Sequence, residues 1–452
     1  MTPARLARLV ALVALLAAAA PALGDDGPLV TVGEVGPTMA VIWTRGERAG
    51  EISVEVTPVA GGRPLADRVR VTEDGDLLGR VTATGLAPAS RYRYRVQQGE
   101  RVVSGEFGTA PVASSPAKVT FLWSGDLGGG GFCRLVDGGY RIFPVMARRA
   151  ADFFLFVGDT IYADVPCNRP GVVPGADFIA RSVAQYRARH RYNREDPAVQ
   201  EFLRRVPVYA IWDDHEVRND FSGPTEPLMP IGRQAFLEYW PIVAPGNDLN
   251  RLYRTVRWGR LLELFILDTR QYRSPNGEPD GPAKTMLGAA QRAWLVDALA
   301  ASDATWKIVV TSVPLSVPTG RPDGHDSWTG ASVFGIVPDN PSGFATERDA
   351  ILRDLRARGV KNLVFLAADV HHAEIIRHEP QPGFAFYEFI AGPLSASLGR
   401  PRPLDETLNS WSLFARGGVY NFGEVTIDAA GLTVRSVDDT GAVMFTHTIT
   451  PQ

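Results

Sequence analysis

From residue 27 to about 112 the chain alternates apolar and polar positions with a period of two. MAVIWTR (39–45), ISVEVTPV (52–59) and RYRYRVQQ (91–98) are rich in β-branched and aromatic residues, and Gly-Pro-rich breaks separate them. This pattern predicts half-buried strands joined by turns, with Trp43 pointing inward from an early strand. VASSPAK (112–118) reads as a linker. Beyond it the texture changes. KVTFLWS, DFFLFVG, VPVYAIW, LLELFIL, WKIVVTS and NLVFLAA are short, continuous apolar runs of the kind that strands buried on both faces require. AQRAWLVDALAAS and ATERDAILRDLRARG place apolar residues at helical spacing. The final stretch, VYNFGEVTIDAAGLTVRSVDDTGAVMFTHTIT, predicts antiparallel strands with hairpin turns. The pattern as a whole predicts an α/β (α+β) layered body over 118–450, preceded by an all-β unit over 25–112. Residues 317–343 and 393–418, rich in Gly, Pro and Ser, are expected to be long loops or lids.

Leu86, Pro88, Tyr92 and Tyr94 form L-x-P-x-x-x-Y-x-Y, which resembles the tyrosine corner of a fibronectin type III-like sandwich. Such a module spaces or packs, and carries no chemistry by itself. Ahead of it, residues 1–24 show a basic start (Arg5, Arg8), an apolar run from Leu9 to Ala20, and small residues before Asp25-Asp26. This is the pattern of a secretory signal peptide cut after Ala22 or Gly24, and it predicts a periplasmic or secreted protein with no membrane span after cleavage. The 452 residues suffice for two or three domains. A net charge of −3 excludes the electrostatic footprint of a dedicated nucleic-acid binder. Two cysteines cannot build a disulfide scaffold, but outside the cytoplasm Cys133 and Cys167 are free to pair.

In layered α/β proteins ligands sit at the carboxyl ends of strands. Asp126 follows the first apolar strand, and Asp159 and Tyr162 follow the second. Asp213-Asp214-His215-Glu216 and Asn219-Asp220 follow the third, and Asp268-Thr269-Arg270 the fourth. Ser312 follows the fifth, and Asp369, His371 and His372 the sixth. A single Asp there is most simply a cap or turn residue. The repetition is harder to dismiss, because crowded carboxylates repel one another and resist ionising unless cations neutralise them. The donor set of Asp126, Asp159, Tyr162, Asp214, Asp369 and His371 is mostly oxygen, which favours hard cations such as Ca²⁺, Mg²⁺, Mn²⁺ or Fe³⁺.

GDTIYAD, IWDDHEVRND, LDTRQYR and AADVHH, each at a strand end and in this order, resemble the calcineurin-like metallophosphoesterase superfamily, and within it the PhoD-type alkaline phosphatases. The resemblance implies a four-layer metallophosphoesterase β-sandwich flanked by helices, with a metal centre between two facing sheets that hydrolyses phosphate monoesters or diesters. Carried over by position, Asp126, Tyr162 and His371 would bind a first metal, Asp214 and Asp369 a second, and Asp159 would bridge them. The catalytic set would be His215, Arg270 and Asp159. His215 would donate a proton or hold the phosphate, and the Arg270 guanidinium suits a bidentate phosphate clamp. The family is associated with a tyrosinate-held Fe³⁺ together with Ca²⁺.

The chain departs from that family at Cys133. PhoD-type proteins often carry a cysteine ligand just after the first strand, where this chain has Asp126. Cys133 is then either a displaced ligand or half of a disulfide with Cys167. Asp213 is a candidate partner of the ligands, Asn219 a further contact, and His372 must face away from His371. The Gly128–Gly131 run lacks the Lys-Ser/Thr of a nucleotide loop and reads as a flexible loop. Purple acid phosphatases share the Asp-Leu-Gly and GDxxY features. They carry Asn where this chain has Asp214, and imidazoles where it has Ser312 and Asp369. A non-catalytic secreted binding protein on a degenerate scaffold is the other alternative, and the retained ligand set speaks against it.

Overall fold

The computed structural model describes residues 27–129 and 131–452; the leader pattern of residues 1–24 lies outside them. Seven strands fill the first hundred residues. Leu29–Gly33, Met39–Arg45 and Leu78–Thr84 form one layer. Leu65–Val71, Gly50–Pro58, Arg91–Gln98 and Arg101–Gly108 form the other. Alternate residues close the core between them, including Val30, Ile42, Val54, Val96 and Phe107. The hydroxyl of Tyr92 accepts the Ala87 N–H at 2.7 Å and makes the corner. Tyr94 instead donates to the Arg204 carbonyl at 2.9 Å, which docks the sandwich onto helix Pro197–Arg205.

Trp43 corrects an expectation. It is buried, but on the face opposite the sandwich core. Its indole N–H donates to the Glu238 carbonyl at 2.8 Å, and Arg194 lies 4.2 Å from its ring. Strand period two puts Ile42 into the sandwich and Trp43 against the next layer.

The all-β unit shares a sheet with the α/β body. Leu29–Gly33 adds in parallel to Val208–Ile211, with Gly33 opposite Val208. A nine-stranded sheet results, in the order Val443–Ile449, Gly431–Asp438, Asn421–Asp428, Val119–Ser124, Phe153–Val157, Val208–Ile211, Leu29–Gly33, Met39–Arg45, Leu78–Thr84. A seven-stranded sheet runs Arg254–Trp258, Leu262–Ile266, Trp306–Val310, Leu363–Ala367, Phe384–Ile390, Ala373–Gln381, Ser410–Arg416. The sheets face each other, with Phe153 against Trp258 at 4.8 Å and Trp123 against Phe389 at 6.2 Å. Helices Gly288–Ala301 and Ala345–Ala357 cover the second sheet through Leu295, Leu299, Ile351 and Leu355. Helices Pro197–Arg205 and Met229–Tyr239 cover the first through Phe202, Leu203 and Phe236. This is the four-layer arrangement that the sequence implied. Residues 393–418 are not all loop, since Ser410–Arg416 is an edge strand paired with Ala373–Gln381. Its side chains are largely exposed, as befits the edge of the sheet. Among the described residues no helix is long and apolar enough to cross a membrane.

His190 on helix Val183–Arg194 is fully buried, stacked on Tyr239 at 5.1 Å, and its Nε2 has no partner. Burial, then the charges of Arg194 and Arg189, push its pKa down to about 3. The unfolded chain binds a proton at this site below the ordinary histidine pKa of about 6.5, whereas the folded protein does not until about pH 3. Stability is therefore lost as pH falls through that window, at about 1.4 kcal/mol per pH unit. Thermal melts of wild type and H190F between pH 7 and pH 4 test this. The gap between them should shift in favour of H190F as pH falls, and a pH-independent gap contradicts it.

Candidate metal centre

The cluster is built where strands stop. After Val119–Ser124, Phe153–Val157 and Leu363–Ala367 the backbone turns through the left-handed region at Asp126 (φ 64°), Asp159 (φ 51°), Asp369 (φ 69°) and His371 (φ 57°). Non-glycine residues rarely adopt this conformation, which costs on the order of 1 kcal/mol each, so concentrated strain of this kind marks a place held for its geometry. Among the described residues four overlapping sets result: Asp126 with Asp159 and His371, Asp159 with Asp214 and His215, Asp213 with Asp214 and Asp369, and Asp214 with Asp220 and Asp326. Within each set the candidate ligand atoms lie within 4.8 Å of one another. Tyr162 Oη is 3.0 Å from His371 Nε2. His371 Nδ1 faces the Ser397 carbonyl at 2.6 Å, so that nitrogen carries the proton and Nε2 turns a lone pair toward the carboxylates. Close approach demands glycine at two points. A Cβ on Gly392 would stand 2.2 Å from Asp126 Oδ2, and one on Gly129 would stand 2.4 Å from the Tyr162 ring. Gly129 is thus tightly packed, where the sequence predicted a flexible loop.

Helix Val183–Arg194 braces these loops from behind. Asn193 donates to the carbonyls of Leu127 (3.2 Å) and Thr160 (2.9 Å). Arg189 donates to the carbonyls of Tyr162 and, at 2.8 Å, Val165. Tyr186 donates to the Val217 carbonyl at 2.9 Å. Glu216 ties two of the same loops together. It accepts the Thr160 N–H at 2.6 Å, the Thr160 hydroxyl at 2.7 Å and the Asp213 N–H at 2.9 Å.

Burial first, then repulsion from the neighbouring carboxylates, raises the pKa of Asp126, Asp159 and Asp369 well above the usual range. The same two causes raise the Tyr162 phenol. Burial pushes His371 down to about 4, which keeps its imidazole neutral. His215 goes the other way. Burial alone would lower it, but the charges of Asp214 and then Asp164 bring it up to about 9. Three buried carboxylate oxygens, Asp126 Oδ2, Asp214 Oδ1 and Asp369 Oδ2, have no hydrogen-bond partner. Orphaned anionic oxygens beside a neutral imidazole fit bound hard cations, which would remove both the repulsion and the missing partners.

Arg270 departs from the expected phosphate clamp. It is fully buried, with Nε donating to Asp213 Oδ1 at 2.6 Å and its fork donating to both oxygens of Asp326. The guanidinium is consumed inside the protein. Asp213 is a partner of this kind, held also by Ser312 Oγ at 2.6 Å. Asn219 is exposed, and its backbone N–H donates to Asp164 Oδ2 at 2.8 Å. His372 faces away, pairing with Glu374 at 2.9 Å. Cys133 is bonded to Cys167 and so is no displaced ligand. Two acids, Asp164 and Asp326, escaped the sequence reading, and a third, Asp220, was named at a strand end without a role. Asp164 lies 2.6 Å from His215 Nδ1, and Asp220 and Asp326 group with Asp214. Asp164 stood inside the quoted GDTIYAD, two residues past Tyr162, and that was its signal.

A family model described as PhoD-like phosphatase matches residues 127–435, and one described as PhoD-like phosphatase, N-terminal domain, matches residues 27–111. The chain belongs to the PhoD-like phosphatase family. Alkaline phosphatase D of Bacillus subtilis (strain 168) is 28% identical over an alignment of 327 residues that covers 64% of this chain and 52% of that protein. The chain thus spans about half the length of this curated relative. A solved structure of PhoD superposes with a TM-score of 0.75 at 19% identity, covering 96% of this chain and 94% of that one. Purple acid phosphatase PPD1 from yellow lupin (Lupinus luteus) seeds superposes with a TM-score of 0.66 at 14% identity, covering 94% and 74%. At these identities the likeness is one of fold. For this PhoD-like chain the orphaned oxygens make a direct prediction. A cation at 100 times its Kd should stabilise the protein by about 2.7 kcal/mol. The thermal midpoint should fall by several degrees on chelation and recover when metal is restored. D369N should blunt the response, and a midpoint indifferent to chelator contradicts the fit.

Proposed function

We propose that the protein is a secreted, metal-dependent phosphatase or phosphodiesterase that hydrolyses small phosphate esters at this centre. The observation that carries the proposal is the convergence of four strand-end carboxylates, a tyrosine and a neutral histidine on one buried point with three carboxylate oxygens unpartnered. Membership of the PhoD-like phosphatase family supports it. In this reading Asp126, Asp159, Tyr162 and His371 hold a first cation, proposed as Fe³⁺ for its affinity for phenolate, and Asp159, Asp214 and Asp369 hold a second, proposed as Ca²⁺. Bound there, cations neutralise the ester's charge and activate water.

The chain's own residues do the rest. His215 is held at Nδ1 by Asp164 and at its backbone N–H by Asp159 Oδ1, 3.2 Å away. Its Nε2 is left for the substrate. The Asp164 carboxylate at Nδ1 favours the protonated imidazole, so His215 can hold a phosphoryl oxygen and pass a proton to the departing oxygen. Tyr162, whose ring lies 4.1 Å from that of His215, fixes one side of the imidazole. Secretion rests on the residue 1–24 pattern, and the Cys133–Cys167 disulfide suits an oxidising compartment.

Phosphate monoesters and diesters with a chromogenic leaving group test the proposal. D159A and H371A should lose hydrolysis with unchanged far-UV circular dichroism. D164N should lower kcat about 10–100-fold with little change in KM, the usual cost of removing a group that orients a functional histidine. Wild-type turnover in purified D159A or H371A would sink the assignment.

A further inference from the structure

The long loop of residues 317–343 returns to the centre at Asp326, a residue that no motif singled out. Asp326 is fully buried and holds the fork of Arg270, with Nη1 to Oδ1 at 2.7 Å and Nη2 to Oδ2 at 2.6 Å. Arg273 Nη1 and Asn276 Nδ2 also donate to Oδ1, each at 2.7 Å. Both oxygens of Asp326 are therefore engaged, so it is poorly placed to ligate a cation. The other end of Arg270 is tied through Nε to Asp213. Stretched between the two acids, the guanidinium passes Asp214 with Nη2 3.7 Å from Oδ1, beyond hydrogen-bond reach. Asp214 Oδ1 has no other partner.

We propose that Asp326 is a positioning residue for the centre: by holding the fork of Arg270 it keeps that guanidinium off Asp214 and leaves Asp214 Oδ1 open to a cation. Arginine keeps its charge even when buried, so a released fork must find another anion, and the orphaned oxygen of Asp214 is within reach. Arginine and metal would then compete for one carboxylate. The same contact links the 317–343 loop to cation binding, because a loop displaced from the centre takes Asp326 with it. The inference rests on the metal-centre reading above.

The test uses the full chain loaded with Ca²⁺, with affinity read by chelator competition. D326N should weaken Ca²⁺ binding about tenfold or more. In an R270Q background, where the competing fork of Arg270 is gone, D326N should change it by less than about threefold. No loss in D326N, or a loss of equal size in both backgrounds, overturns the inference. If R270Q does not fold, D326E decides. It keeps the charge, so it should bind Ca²⁺ within about threefold of wild type, and a loss matching that of D326N overturns the inference. Wild-type protein that takes up neither Ca²⁺ nor Mn²⁺ would instead overturn the metal-centre reading, and this inference with it.

Discussion

Buried like charges are the constraint around which this molecule is arranged. Asp126, Asp159, Asp213, Asp214 and Asp369 converge at the strand ends, the first four buried and Asp369 half-buried, where their mutual repulsion and desolvation oppose ionisation. Two devices answer it. Arg270, whose fork is held by Asp326, neutralises the rear of the cluster through Asp213, and Arg273 pairs with Asp326 behind it. The front, where Asp126, Asp214 and Asp369 leave oxygens unpartnered, is left for cations. The division between the two faces decides what the site can do. A carboxylate paired with arginine is structural, and one left orphaned in a buried cleft is chemical.

The scaffold serves that division. Parallel strands deliver their ends to one edge of two facing sheets, and left-handed turns at Asp126, Asp159 and Asp369 aim the carboxylates inward. Helix Val183–Arg194 then ties the loops after two of those strands together through Asn193 and Arg189. The N-terminal sandwich adds to the same support. Trp43 and Trp240 sandwich the Arg194 guanidinium, at 4.2 and 4.8 Å, on the helix that braces the site. A module that carries no chemistry thereby stiffens the element that positions the chemistry.

The apolar strands were legible because strands buried on both faces must read as continuous apolar runs, as DFFLFVG does. The acids were legible because they recur at the ends of those runs. Helix Val183–Arg194 was not, since its buried face is Tyr186, Arg189, His190 and Asn193 rather than leucines. That face answers loop carbonyls, which hydropathy does not encode. Arg270 was misread for a related reason. A guanidinium suits a phosphate and an internal carboxylate equally, and what settles its placement is Asp326, 56 residues away in a loop without periodicity. Trp43 shows how one position of strand phase changes a partner. Its burial was legible, but the face it packs on depends on which layer lies outside the sandwich.

The most direct test of the account is the metal content of the purified protein, read together with its visible absorption and that of Y162F. The account predicts tightly bound metal in the wild type. It also predicts a phenolate-to-Fe³⁺ charge-transfer band that vanishes in Y162F while the fold persists. Light divalent ions without a visible band would contradict the assignment of iron to Tyr162. Protein that carries no metal and takes none up would contradict the central claim that the buried carboxylates are held for cations.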